Sequence, residues 1–495
     1  MTINVLTARA AEVKTPALVI GVFEDDDFAS PPLAELNAAT GGLIAELVQS
    51  GEFSARRGST LTLHRPGKLK TERLVLFGVG KRADFCANAL RSAVAAAARK
   101  VRTWRRTEFA VVTRGLLDAR IGGQVLTEGI LLGLYEFNQH KSPDPKAAEV
   151  KRATLIALDH EQAKGLRAGV ALGAAIAQAT NNCRDLVNEP SNLLTPTKLA
   201  SRAMELCKGT GVKVEVWDKR CIVRERLGAL LSVAQGSAEE PRFIIMEHKP
   251  AKAKGKPIVL VGKAVTFDTG GVSLKSATNM EDMKCDMAGG ATVIATLAAC
   301  GRLKLPRHVI GMVPATENMP SGTSIKPGDV VRARNGKSIE ILNTDAEGRL
   351  ILADALCVAS ERKPAAIVDL ATLTGACVVA LGDIATGMIG TDQPLMDALR
   401  IAGETTGDRV WQLPLWDEYR EHVKSHVAEV KNVGKARQAG ATAGAAFLEQ
   451  FVVAGIPWAH LDIAGPAYIE EVKPLHPRGG TGWGVRLLLE WLRNG

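Results

Sequence analysis

Residues 341–351 read I-L-N-T-D-A-E-G-R-L-I and place Asp345, Glu347 and Arg349 within five positions, between two apolar pairs. In an extended segment, side chains two apart share a face. On that geometry the three charged groups would address one site while Ala346 and Gly348 face away. Two carboxylates and a guanidinium side by side are costly without partners. A divalent cation beside the acids and an anion beside the arginine would satisfy them. The same residues also read as a solvated charged turn that caps a helix starting near Ala346.

A second stretch, residues 259–286, supplies Lys263, Asp268, Lys275 and Asp286. The apolar run at 258–261 predicts a short buried strand. Lys263 follows it immediately, at a strand end, where open α/β sheets place their ligands. Gly270-Gly271 permits a tight turn that would bring Asp268 and Lys275 back over that end. Asp286 lies just before Gly289-Gly290 and a long apolar stretch that predicts a helix. Lys263 is readable without any metal, as an ion-pair partner of these acids.

Together the two stretches resemble the two signatures of the leucyl aminopeptidase family, dinuclear-metal enzymes that remove N-terminal residues from peptides. Residues 343–350 match that family's octapeptide in full, and the spacing from Lys263 through Asp268 and Lys275 to Asp286 matches as well. The resemblance is strong over residues 185–485 and weak before them. Ala264 stands where the family usually has glycine, and Thr269 where it usually has serine.

The resemblance implies a role for each residue. Asp268 and Glu347 would touch both metals, Asp345 the more exchangeable ion, and Asp286 with Lys263 the tighter one. Four carboxylates balance two divalent ions, which suits a dinuclear centre. Such a pair activates water and polarises a carbonyl. A lysine ligand must be neutral, and two nearby cations would displace its proton. Lys275 would stabilise the oxyanion. Arg349 would grip a bicarbonate that serves as general base. Met283, Thr372, Gly375, Ala464 and Ala467 would line the subsite for the first side chain, an apolar set with small members that suits leucine. The resemblance also implies zinc or manganese (with magnesium and cobalt as the other candidates), peptide substrates, and a homo-hexamer whose sites face an inner cavity.

These residues need a scaffold. The 495 residues suggest two or three domains. Residues 1–160 read as a smaller α/β domain, with strands at 17–23, 60–64 and 73–77 and helices at 32–50 and 84–101. Residues 161–185 read as a connecting helix. Residues 186–495 read as a larger α/β domain, with strands at 213–217, 242–247, 258–261, 308–313, 366–370 and 459–463. Helices at 287–300 and 346–361 alternate with these strands, which implies a mostly parallel central sheet covered on both faces.

The remaining features narrow the function. Eight scattered cysteines without a C-x-x-C pair read as reduced thiols in a cytoplasmic protein. No leader-like or membrane-spanning run is visible. Gly78-x-Gly80-x-x-Ala83 outlines a dinucleotide fingerprint, but no acid follows at 85–107, so it reads as a tight turn. Gly262-Lys263 lacks the glycine and hydroxyl of a phosphate loop. His422 and His426 have zinc-protease spacing without the glutamate, and read as a polar helix face.

The basic run at 99–106, around Trp104, motivates an alternative function as a DNA-binding regulator or recombination accessory. The more ordinary reading of that run is a solvated helix end. A dinuclear phosphoesterase is a third reading, since it would use the same acids.

Overall fold

The computed structural model describes residues 1–142 and 149–494. The chain divides into two compact units, Met1–Gln178 with Glu471–Pro477, and Ala179–Glu470 with Arg478–Gly495. The helix His160–Asn188 contains the division.

The first unit holds a six-stranded sheet of β1 (Thr2–Thr7), β2 (Leu18–Phe23), β3 (Thr60–His64), β4 (Arg73–Gly80), β5 (Glu108–Val112) and β6 (Arg152–Ala157), in the order β1-β6-β5-β2-β4-β3. All neighbours are parallel except β3 and β4. Strand β2 is buried along its whole length, as a continuous apolar run in a covered parallel sheet should be. The helix Ala87–Arg102 turns Ala89, Ala93, Val94, Ala97 and Val101 inward. Phe23, Phe77 and Phe109 fill the same core, each contributing about 1.5–3 kcal/mol by burial.

The helix predicted at 32–50 is two helices, Leu33–Ala39 and Leu43–Gln49. Gly41 and Gly42 divide them with φ of 71° and 89°, backbone that a helix cannot contain. β4 continues through Gly78 and Gly80, and the turn to the helix at Ala87 comes after them, through a short 3-10 segment at Arg82–Asp84.

The second unit is built on a nine-stranded sheet. Its strands are β7 (Lys213–Trp217), β8 (Arg242–His248), β9 (Ile258–Gly262), β10 (Ala264–Asp268), β11 (Val309–Asn318), β12 (Ala366–Ala371), β13 (Thr386–Gly390), β14 (Val410–Gln412) and β15 (Trp458–Asp462). Their order is β14-β13-β15-β12-β9-β11-β8-β7, with β10 also on β11. The centre is parallel: β15 on β12, β12 on β9, and β9 and β10 on β11.

Both faces of this sheet are covered. Gly311 lies against Leu297 and Val293 of the helix Ala288–Arg302. Its neighbours Ile310 and Met312 point the other way, into the core shared with the helices Gly348–Glu361 and Gly440–Glu449. The adjacent ends of β9, β12 and β15 therefore deliver Lys263, Thr372 and Asp462 to one edge of the sheet. No helix among the described residues is long and apolar enough to cross a membrane.

Candidate metal centre

Lys263 sits between β9 and β10, held by its backbone. Its N–H donates to the Leu370 carbonyl at 3.0 Å, and its own carbonyl accepts from Gly290 at 2.7 Å. The side chain is buried. Its Nζ lies 2.7 Å from Asp286 Oδ1 and 2.9 Å from Glu347 Oε1, and donates to the Thr372 carbonyl at 2.9 Å. Gly348 makes this approach possible, because a Cβ there would stand 2.6–2.7 Å from the end of the Lys263 side chain.

Asp268 closes β10. Its Oδ1 accepts from the Gly270 N–H at 2.9 Å and from Asn318 Nδ2 at 2.8 Å, while Oδ2 lies 2.8 Å from Lys275 Nζ. The turn beyond it is closed by the Lys275 N–H on the Thr269 carbonyl, with Gly270 and Gly271 at φ of 86° and 67°. This turn returns Lys275 to the acids, where its ammonium also pairs with Asp345. Asp286 accepts the Thr372 hydroxyl on Oδ1 at 2.7 Å.

The segment carrying Asp345, Glu347 and Arg349 is not extended. Ala346 N–H donates to the Asn343 carbonyl in a turn, and Glu347 is the helical-backbone cap of Gly348–Glu361. The three side chains gather through a turn and a helix start rather than through strand alternation. Arg349 is buried in the first helical turn. One of its terminal nitrogens donates to the Asn432 carbonyl at 2.9 Å, and its Nε has no hydrogen-bond partner.

The ligand atoms of Asp268, Asp286 and Glu347 all lie within 4.8 Å of one another, and all three residues are buried. Burial pushes the Asp268 carboxyl up to about 6, with Glu347 adding to the rise. Burial raises Asp286 well above its ordinary value, against the pull of Lys263, and raises Asp345 as well. Glu347 ends below its ordinary value because Lys263 and Lys275 outweigh its burial. Burial opposes the charge on Lys263 and on Lys275, but the surrounding acids overcome it and hold both as ammonium.

Four carboxylates thus face two ammonium groups, and Asp286 Oδ2 is buried with no hydrogen-bond partner. A divalent cation supplies what such a donor set lacks. The residues present fit a metal centre. Arg349, buried and with an unpartnered Nε, fits a small anion in the same way.

Of the five predicted pocket residues, Thr372 contacts the cluster directly, through Asp286 and Lys263. Met283 lies on the short helix Met280–Cys285 that leads into Asp286. Gly375 opens the helix Gly375–Leu381 and is exposed. Ala464 and Ala467 lie on the loop after β15, Ala464 half-buried and Ala467 buried. The helix carrying Tyr419 ends at Glu421, so His422 and His426 do not share a helix.

Three residues that support the site are absent from the sequence expectations. Asn318, opposite Asp268 in register, bridges Asp268 to the Thr344 carbonyl. Asn432 accepts the Leu342 N–H at 2.9 Å and donates to the Asn343 carbonyl at 2.7 Å. Asp462 bonds the loop after β12. The one local signal is a polar residue ending an apolar strand, at Asn318 and Asp462.

Residues 181–489 match the profile of the cytosol aminopeptidase family, catalytic domain, and residues 19–144 match that of its N-terminal domain. A probable cytosol aminopeptidase of Geobacter sp. (strain M21) is 46% identical over 494 residues, covering 100% of both chains. One from Roseiflexus castenholzii is 42% identical, covering 100% of this chain and 99% of its own. Among solved structures, a mutant of tomato leucine aminopeptidase superposes with a TM-score of 0.90 at 32% identity, over 100% of this chain and 97% of that one. The bottromycin maturation enzyme BotP in complex with Mn superposes with a TM-score of 0.85 at 35% identity, over 97% and 99%.

Proposed function

The chain belongs to the cytosol aminopeptidase family and is a metal-dependent aminopeptidase; from that premise we propose that it removes leucine-like N-terminal residues from peptides at the acidic centre. The observation that carries this reading is the buried convergence of Asp268, Asp286 and Glu347 with an unpartnered Asp286 oxygen. Asp268, Asp286, Asp345, Glu347 and Lys263 would hold two divalent ions, zinc or manganese, with Lys263 ligating as the neutral amine. When bound, the ions supply an activated water and a polarised scissile carbonyl.

The chain's own groups do the rest. Lys275 is a quarter exposed, so its ammonium can meet the developing oxyanion while Asp268 and Asp345 fix its position. Arg349 would hold a bicarbonate, whose chemistry there is that of a general base. Asp286 would receive the substrate's free amino terminus, which limits cleavage to the first residue. Met283, Thr372, Gly375, Ala464 and Ala467 would enclose the first side chain. A homo-hexamer in the cytoplasm completes the proposal.

The DNA-binding alternative depends on the run at 99–106. There Arg102 pairs with Glu136 at 3.0 Å, Arg106 pairs with Glu72 at 2.6 Å, and Trp104 lies under Arg73. These guanidiniums already have anionic partners within the unit, which supports the peptidase reading.

The test is metal analysis of the purified protein, with leucine-amide hydrolysis measured after chelation and after return of Zn, Mn, Co or Mg singly. Two ions per subunit, with activity lost and restored, is the expected result. Full activity in metal-free protein would overturn the assignment. Activity confined to phosphoesters would favour the phosphoesterase.

A further inference from the structure

Asp462 ends β15 and is fully buried. Its Oδ1 accepts the backbone N–H of Leu373 at 3.1 Å, of Thr374 at 3.4 Å and of Ala464 at 3.2 Å. Its Oδ2 accepts the Thr374 hydroxyl at 2.7 Å. One carboxylate therefore holds two loops that leave adjacent parallel strands. The first begins with Thr372, whose hydroxyl is on Asp286 and whose carbonyl is on Lys263. The second carries Ala464 and Ala467.

We propose that Asp462 is a positioning residue that couples these two loops and so sets which first side chain the enzyme accepts. The inference rests on the leucine-preferring reading above. The four hydrogen bonds of the Asp462 carboxylate all go to the two loops. Its effect is to fix the spacing between Thr372 and Ala464, on opposite loops of the proposed subsite. A pocket that separates substrates by a few methylenes needs its walls held, because each methylene carries limited discrimination.

The chemistry predicts an order among variants. Asp462→Ala leaves three N–H groups, that of Thr374 buried and those of Leu373 and Ala464 partly so, without an acceptor, and the loops must shift to find others. Asp462→Asn keeps one oxygen for those N–H groups, and its amide can donate to Thr374 Oγ1. Thr374→Val removes only the hydroxyl contact, along with that residue's cap on the Cys377 N–H.

The experiment measures kcat/KM for leucine-amide and alanine-amide substrates, together with hydrogen exchange at the amides of residues 373, 374 and 464. Asp462→Ala should cut the leucine-to-alanine ratio about tenfold, the low end of what one methylene is worth in a hydrophobic pocket. All three amides should exchange faster together. Asp462→Asn should recover most of the ratio, and Thr374→Val should lie between them, with residue 464 exchanging faster although the substitution is on the other loop. A folded Asp462→Ala protein with the wild-type ratio overturns the inference. If that variant does not fold, Thr374→Val decides: a wild-type ratio with unchanged exchange at residue 464 overturns it. A wild-type enzyme with no side-chain preference overturns the reading beneath the inference and removes both, a failure seen before any variant is made.

Discussion

Each unit of this protein gathers charge at the ends of a largely parallel sheet, and the two gatherings differ in balance. In the first unit, Asp26 follows β2, Arg82 follows β4 and Arg114 follows β5. The Asp26 side chain is buried; Arg114 grips it with both terminal nitrogens at 2.7 and 2.8 Å, and Arg82 adds a third contact at 2.8 Å. The Phe23 N–H donates to the same carboxylate at 2.7 Å. In the second unit, four carboxylates share two ammonium groups, and the buried Asp286 Oδ2 has neither a hydrogen bond nor an ion pair among the described residues. The architecture is alike, so architecture does not separate structural from reactive ends. The unmet acid does. Where each carboxylate oxygen meets a base or an N–H inside the protein, the cluster holds the fold. Where acids outnumber bases, a bound cation completes the cluster.

The largest effect is expected at Glu347. Glu347→Ala removes a carboxylate from the deficient cluster and should lower kcat/KM by more than about 1,000-fold, the effect of several kcal/mol of lost charge stabilisation. Metal content should fall with it while the thermal melt stays cooperative. Full activity in this variant would take the acid out of the mechanism. Lys275→Met tests the other sign. It should lower kcat about 100- to 1,000-fold, as loss of an oxyanion contact does, with the bound metal retained. A change confined to KM would instead make Lys275 a substrate anchor.

The lysines and acids were legible because their residue types are concentrated in two short stretches whose apolar flanks announce a strand and a helix. Asn318 and Asp462 were not, since a single polar residue at a strand end looks like any turn. Their partners lie 50 and 88–89 positions away in the chain. Most strands of the second sheet were readable from buried apolar runs such as β9. Strand β1, T-I-N-V-L-T, alternates half-buried and exposed side chains at a sheet edge, and strand β5 is five residues long behind a basic run, so neither has a strong periodic signal. The extended reading of residues 345–349 failed because the helix begins at Gly348 and sets the direction of Arg349.

Asn318 acts on the acidic centre without adding charge to it. It fixes Asp268 and the Thr344 carbonyl together. Asn318→Ala should weaken metal retention about 10- to 100-fold, as loss of a ligand's supporting hydrogen bond does. Dialysis against graded chelator would show it. Unchanged retention would mean that the Gly270 N–H alone orients Asp268.

The fully partnered Asp26 carboxylate should respond in the opposite way. Asp26→Ala leaves Arg114 almost buried without its carboxylate and should cost about 3 kcal/mol of stability, the scale for breaking a buried pair. Per-molecule activity should not change, because none of these groups belongs to the acidic centre. Denaturant titration beside leucine-amide kinetics reads both quantities. A metal-dependent loss of activity in this variant would erase the distinction between the two sheet ends.

The smallest effect is expected at the surface run of the first unit. Arg106, Glu72 and Glu136 are roughly half exposed, and Arg102 is partly exposed. Exposed pairs of this kind are worth less than about 1 kcal/mol. Arg102→Gln with Arg106→Gln should therefore leave the melt and the kinetics near wild type. If the run is only a solvated helix end, DNA retention at low salt should be absent in both proteins. Retention by the wild type that falls steeply with salt and vanishes in the double variant would give these guanidiniums a phosphate-binding role. The intramolecular pairs would then be contacts that DNA displaces, and internal pairing in the isolated chain would no longer distinguish a structural cluster from a functional one.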